Sequence, residues 1–155
     1  MDDVLSSRKS ETIPAPLWII ALIALSPFPV TAGLYAYGPD HLAKPTLTML
    51  LEWAAVSLSF LGGVKWGLET REPNPRWVRQ AFAATCAVAG WVILLSRGRA
   101  PDEWLLGGFL AAFMLQWLFD HQTPDTPSRY PVLSTTATAA ACISLAVALE
   151  KILSA

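Results

Sequence analysis

At 155 residues, 54% of them hydrophobic and only 15% charged, with a mean hydropathy of +0.43, the chain departs from a soluble domain, in which roughly a quarter of residues are charged. A formal net charge of -1 with 11 scattered basic residues excludes the concentrated positive field of a nucleic-acid binder and leaves membrane lipids as the expected surroundings. The two cysteines, Cys86 and Cys142, fall inside apolar runs, which argues against a disulfide scaffold or a cysteine-rich metal site and for small buried thiols.

Residues 1–13 form a polar tail of mixed charge. The apolar run that follows is too long for a signal-peptide core and lacks a small-residue cleavage site, so it is expected to stay attached as a helix. A bilayer core needs about 20 predominantly apolar residues per helix. Five stretches approach that length, at about 16–37, 46–68, 77–96, 103–120 and 131–153. Breakers separate them: Gly38, Pro39 and Pro45, then Pro73 and Pro75, then Gly98 and Pro101, then Pro124 and Pro127. Short connections make consecutive helices antiparallel neighbours. The reading is therefore all-α, an integral membrane bundle of five transmembrane helices forming one domain over residues 14–155.

In helix one, Pro27 and Pro29 flank Phe28 near the middle of the span. Neither proline has an N–H, so carbonyls around Ile23 and Leu25 lose their helical partners and the axis is expected to kink. The freed oxygens either face a ligand or are satisfied by Ser26, Thr31, water or a neighbouring helix. Helix two carries Ala55, Ser59, Gly63 and Gly67 at four-residue spacing, with Gly62 beside them, a stripe almost without side-chain bulk on which another helix can pack closely. It also holds Glu52 and Lys65. A charge at mid-span costs about 2.5 to 3.5 kcal/mol on insertion scales, so Glu52 is expected to snorkel, to pair with Lys44 or Arg97, or to line a pathway.

Trp91 in helix three lies deeper than an interfacial anchor, and its indole N–H needs an acceptor. The freed carbonyls of helix one are candidates. Most other tryptophans (Trp18, Trp66, Trp77, Trp104, Trp117) sit near segment ends, as in an interfacial belt. Helix four offers a second small surface at Gly107 and Gly108 and finishes with Gln116, Trp117, Asp120 and His121. Counting alternations, helices two and four end on the same side, so Lys65 and Asp120 share a leaflet and form a candidate ion pair. Helix five has Thr135, Thr136 and Thr138, whose hydroxyls can return to the preceding turn.

Catalytic and cofactor signatures are missing from the sequence: no GxGxxG, Walker A, HExxH, GxSxG or CxxC pattern occurs. The two histidines, His41 and His121, fall on opposite sides of this topology, which rules out a bis-histidine haem. No catalytic, cofactor or metal residues are assigned. Arg8, Lys9, Arg71, Arg76, Arg79 and Arg129 on the N-terminal side, against Lys44, Arg97, Arg99 and Lys151, favour a cytoplasmic N-terminus.

The Pro27–Phe28 pair, the run SFLGGVKWG from Ser59 to Gly67, Trp91 in the third helix and Asp120 closing the fourth resemble the domain of unknown function 3429 family of small bacterial membrane proteins, which is related to mitochondrial transmembrane protein 69. The resemblance covers about residues 14–153. Where the family presents arginine or histidine, this chain has Lys65, which keeps the charge but not the bidentate fork of arginine. The resemblance implies a five-helix protein of the bacterial inner membrane and no particular activity. PNPRWV at residues 73–78 is also similar to a loop motif of the tryptophan-rich sensory (translocator) proteins, but the rest of that motif does not follow, so their tetrapyrrole and cholesterol binding is not carried over.

Two functions follow as expectations. One is a non-catalytic membrane protein that packs with other integral membrane subunits or assists their assembly. The alternative is a small transporter or ligand-binding bundle, with Pro27, Pro29, Glu52, Trp91 and the Lys65/Asp120 pair around a pocket. An intramembrane lipid-modifying enzyme would instead need His121, Asp120 or Glu52 to converge on an accessible cleft.

Overall fold

The computed structural model describes residues 14–122 and 130–154. The polar tail and the connection containing Pro124, Pro127 and Arg129 lie outside the described residues. The chain runs α1 (Ala15–Leu25), α2 (Pro27–Tyr37), α3 (Asp40–Glu69), α4 (Trp77–Leu95), α5 (Asp102–His121) and α6 (Tyr130–Leu153). The first two are halves of one rod interrupted at Ser26, so the architecture is a bundle of five rods. Four of them, Ala15–Tyr37, Asp40–Glu69, Trp77–Leu95 and Val132–Leu153, are long and apolar enough to cross a membrane. The remaining rod, α5, opens with Asp102 and Glu103 and packs mainly along α6.

The surface pattern is inverted relative to a soluble protein. Ile19, Ile20, Ile23, Phe60, Val88, Trp91 and Ile143 are exposed, whereas Gln116, Ser134, Thr138 and Ser144 are buried. Lipid tails are as apolar as leucine, so an apolar exterior costs nothing in a bilayer, while polar groups gain by turning inward to partners. The protein is a membrane-embedded helical bundle. Its centre is filled by Phe28, Leu50, Leu51, Leu58, Leu106, Phe109, Phe113 and Leu145. Phe28 meets Phe113 edge to face at 6.1 Å, an arrangement that sets the positive edge of one ring against the negative face of the other.

The helix-one interruption falls where the prolines demand it. Ser26 closes α1 and Pro27 opens α2, and the carbonyl of Ile23, deprived of an N–H by Pro27, accepts from Ser26 Oγ at 2.8 Å. Thr31 Oγ1 donates to Pro27 O at 2.7 Å. The carbonyl freed by Pro27 is thus satisfied from within its own rod. Pro45 does not act as a breaker: α3 begins at Asp40 and carries Pro45 inside. The missing bond there falls in the second turn, close to the orphan N–H groups of the helix start, and the rod continues through Thr46 and Thr48, whose hydroxyls bond to Leu42 O and Lys44 O. The turn between α4 and α5 needs a glycine at Gly98, where φ is +77°.

The small-residue stripe is not one packing face. Ala55 and Gly62 are buried against α4, Ser59 is half-buried with its hydroxyl on Ala55 O, and Gly63 and Gly67 face outward with nothing within 4 Å of the position a Cβ would take. A four-residue step turns about 400°, so the stripe drifts about 40° per repeat and leaves the contact. Gly62 is the point of closest approach, because a Cβ there would lie 2.5 Å from Ala83 O and 3.0 Å from Cys86 Cβ. Gly90 makes the reciprocal contact on Ala55, with a Cβ position 3.3 Å from its carbonyl oxygen. On α5, Gly108 faces Ile93 at ordinary distance, and Gly107 has open space beside it.

Candidate functional site

The end of the bundle where α3 and α5 finish and α4 starts holds a cluster of inward-turned polar side chains. Helical spacing collects them: Lys65 and Glu69 on α3, Arg79, Phe82 and Cys86 on α4, and Ser134 and Thr138 on α6 stand at intervals of three or four, as Phe119 and Asp120 on α5 each do from Gln116, and so share one face of each rod.

Lys65 Nζ forms an ion pair with Asp120 Oδ1, the two side chains being 11% and 4% exposed. The other carboxylate oxygen of Asp120 accepts from Ser134 Oγ at 2.6 Å, a charge-assisted bond that ties α6 to the pair. Phe82 and Phe119 stack at 3.9 Å, and the Lys65 ammonium lies 5.3 and 4.7 Å from their centroids. The rings therefore add a cation–π contribution and exclude water from one side of the charge. One turn deeper, Cys86 Sγ donates to Gln116 Oε1 at 2.8 Å. Towards the surface, Glu69 is buried; its carboxylate accepts from the Arg76 backbone N–H at 2.6 Å and pairs with Arg79 at 3.5 Å. That carboxylate pins the start of α4 to the end of α3. Beside it an open cleft of about 560 Å³ is lined by Arg76, Trp77, Val78, Arg79, Phe119 and Gln122.

The remaining candidates do not converge here. Trp91 is 62% exposed and turned to the outer surface, so it does not reach helix one. The indole that does is Trp53 on α3, which donates to Ala24 O at 3.2 Å. Pro29 and Glu52 are also exposed and Pro27 is half-buried. Glu52 lies on the outer face of α3 and makes no ion pair among the described residues; Arg97 instead donates to Thr48 Oγ1, one turn away. His121 is exposed, with its ring 4.2 Å from that of Trp117. Among the described residues no group of histidine, cysteine and carboxylate side chains could hold a metal.

Ser134 and Glu69 belong to the cluster without a sign of it in the sequence reading, and Cys86, expected only as a small buried thiol, and Gln116, noted only as closing helix four, join them. The signal was present as polar residues four apart within apolar helices, Lys65/Glu69, Gln116/Asp120 and Ser134/Thr138. Chemically the arrangement stores a neutralised charge pair and a chain of hydrogen-bonding groups inside a membrane protein.

The family described as "Protein of unknown function (DUF3429)" matches residues 13–150. No curated protein and no solved structure matches the chain.

Proposed function

The chain belongs to the DUF3429 family, and from that premise and the outer face of α3 we propose that it is a non-catalytic multi-pass membrane subunit that packs against other integral membrane proteins and assists their assembly. The observation that carries this reading is the notch at Gly63 and Gly67. Both glycines are exposed and open, while Phe60 and Trp66 beside them are 68% and 47% exposed. A glycine in a helix costs about 1 kcal/mol relative to alanine and offers lipid no apolar side chain. A second rod seated between Phe60 and Trp66 would recover that cost through close backbone contact. The protein would then sit in the bacterial inner membrane with a cytoplasmic N-terminus, a reading supported by Arg8, Lys9, Arg71, Arg76, Arg79 and Arg129 on the N-terminal side of the sequence topology against Lys44, Arg97, Arg99 and Lys151 opposite.

The test compares the natural chain with Gly63→Leu. Mild-detergent extraction of native membranes followed by mass spectrometry should recover a membrane protein at fixed stoichiometry with the natural chain and lose it with the variant, while the thermal midpoint of the purified variant is not lowered, since a glycine leaves the helix and the new side chain meets open space. Recovery of the natural chain only as a monomer or homo-oligomer overturns the reading.

A second reading, a ligand-binding bundle, is favoured by one observation. It would use the buried polar end rather than the helix-one kink, because Gln116 and Thr138 each bury a polar atom with no protein partner. Ligand retained on the natural chain and lost on Gln116→Leu would support it over the first.

A further inference from the structure

Asp120 and Ser134 join α5 to α6 at one level of the bundle, and their contact fixes the antiparallel register of the two rods. Four residues back along α5 and four residues on along α6 lie Gln116 and Thr138, one turn deeper and level with each other. The neighbouring bond from Trp117 Nε1 to Thr135 Oγ1, at 3.1 Å, also ties the two rods together. Gln116 is 0% exposed and Thr138 4%. Gln116 Nε2 and Thr138 Oγ1 both lack a hydrogen-bond partner. The Gln116 amide is oriented by its oxygen, which takes the Cys86 thiol, so its N–H donors are left for something else. Other threonines of these rods are satisfied, Thr136 by Val132 O at 2.8 Å and Thr135 by Trp117.

A buried polar atom without a partner costs about 1–3 kcal/mol, and one on each of two packed rods, at the level the Asp120–Ser134 register assigns to both, would have to be tolerated twice. Internal water is the usual remedy where a site is polar and offers two to four partners. We propose that a single water molecule is bound between Gln116 and Thr138, accepting an N–H from Gln116 Nε2 and donating to Thr138 Oγ1. Its floor is apolar, since Phe113 and Ala141, the next inward residues on the two rods, are buried. The water therefore ends the polar network and does not start a pore. With it, Cys86, Gln116, Thr138, Ser134, Asp120 and Lys65 form two stacked polar layers that reach one turn into the bundle. This site stands independently of any partner on the outer face of α3.

The sign of one substitution tests it. If the layer is dry, Thr138→Val removes an orphaned hydroxyl and raises the thermal midpoint of the full chain in detergent. If water bridges the layer, the same change strips the water of a partner and lowers the midpoint by about 2–4 °C. Gln116→Leu and the double variant complete a cycle: the double should fall no further than the lower single variant, because the same water is lost once. A raised or unchanged midpoint for Thr138→Val, or strictly additive losses, overturns the proposal. Should a variant fail to fold, hydroxyl radicals generated by X-rays from bound water in the natural chain give the same decision. Cys86 and Phe113, although buried, should be labelled if water sits above them, and their lack of labelling overturns the proposal.

Discussion

Gly62 and Gly63 are adjacent in sequence and opposite in environment, so alanine at each position separates packing from helix propensity. At Gly62 a Cβ would stand 2.5 Å from the Ala83 carbonyl oxygen, about 0.9 Å inside ordinary contact, and the obstacle is backbone that cannot rotate aside. The α3–α4 pair would have to separate locally, with loss of the Gly90–Ala55 contact one to two turns along. Overpacking of this kind costs about 1–3 kcal/mol. Replacing glycine by alanine in a helix returns about 1 kcal/mol, leaving Gly62→Ala neutral to destabilising by about 2 kcal/mol. At Gly63 the Cβ meets open space, so only the gain remains. The two variants should differ by about 1–3 kcal/mol, which corresponds to roughly 2–12 °C in thermal midpoint for a chain of this size. Thermal unfolding of the purified monomer in one detergent, followed by tryptophan fluorescence, measures the difference. A Gly62→Ala variant as stable as Gly63→Ala would refute the assignment of Gly62 as the point where the two rods touch.

Breaking the ion pair from either side should be costly: Lys65→Met or Asp120→Asn each loses about 3–5 kcal/mol by thermal or denaturant unfolding, because a buried charge is left without its counterpart. The double change Lys65→Met with Asp120→Leu should recover most of that loss, with Ser134 turning its hydroxyl to the preceding turn of α6. Trp53→Phe removes the donor to Ala24 O and should cost about 1 kcal/mol, whereas Trp91→Phe, on the outer surface, should stay within about 0.5 kcal/mol. Equal effects at the two tryptophans would contradict the contacts at the kink. Glu69→Gln weakens its bonds to the Arg76 N–H and to Arg79, each charge-assisted bond being worth about 1.5–3 kcal/mol. Amide hydrogen exchange at Arg76 should accelerate several-fold, and unchanged exchange would show that Glu69 does not hold the start of α4.

The rods were legible because their signals are long and local. Runs of apolar residues bounded by Gly38–Pro39, Pro73–Pro75 and Gly98–Pro101 place each described helix within a few residues, except that α3 starts at Asp40 rather than after Pro45. Proline is a breaker only where the lost bond cannot be absorbed, and near a helix start it can. Rotation about each helix axis was less legible. In a soluble helix the apolar stripe marks the inside, but here both lipid and core are apolar, so Trp91 and Gly63 carry no mark of facing out. The glycine spacing of four looked like a straight seam, yet the buried positions of α3, Leu51, Ala54, Ala55, Leu58, Leu61 and Gly62, follow the 3.6-residue period.

Polar residues carry the information that apolar ones cannot in such a bundle. Turned outward they would meet hydrocarbon, so a polar pair four apart within a span marks the inward face of its rod. Applied to Lys65/Glu69, Gln116/Asp120 and Ser134/Thr138, that rule orients α3, α5 and α6 and brings their polar ends to one region. It fails for Glu52, which is exposed near the middle of α3 with the Thr48 hydroxyl and Arg97 one turn away, so a long polar side chain can stay on the outer face where other polar groups stand beside it. Companions on neighbouring rods therefore decide how such a residue is read. Gln116 has Cys86 of α4 beside it and, with Thr138, lies a full turn beyond the ion pair, which is why the unpaired atoms there call for an occupant.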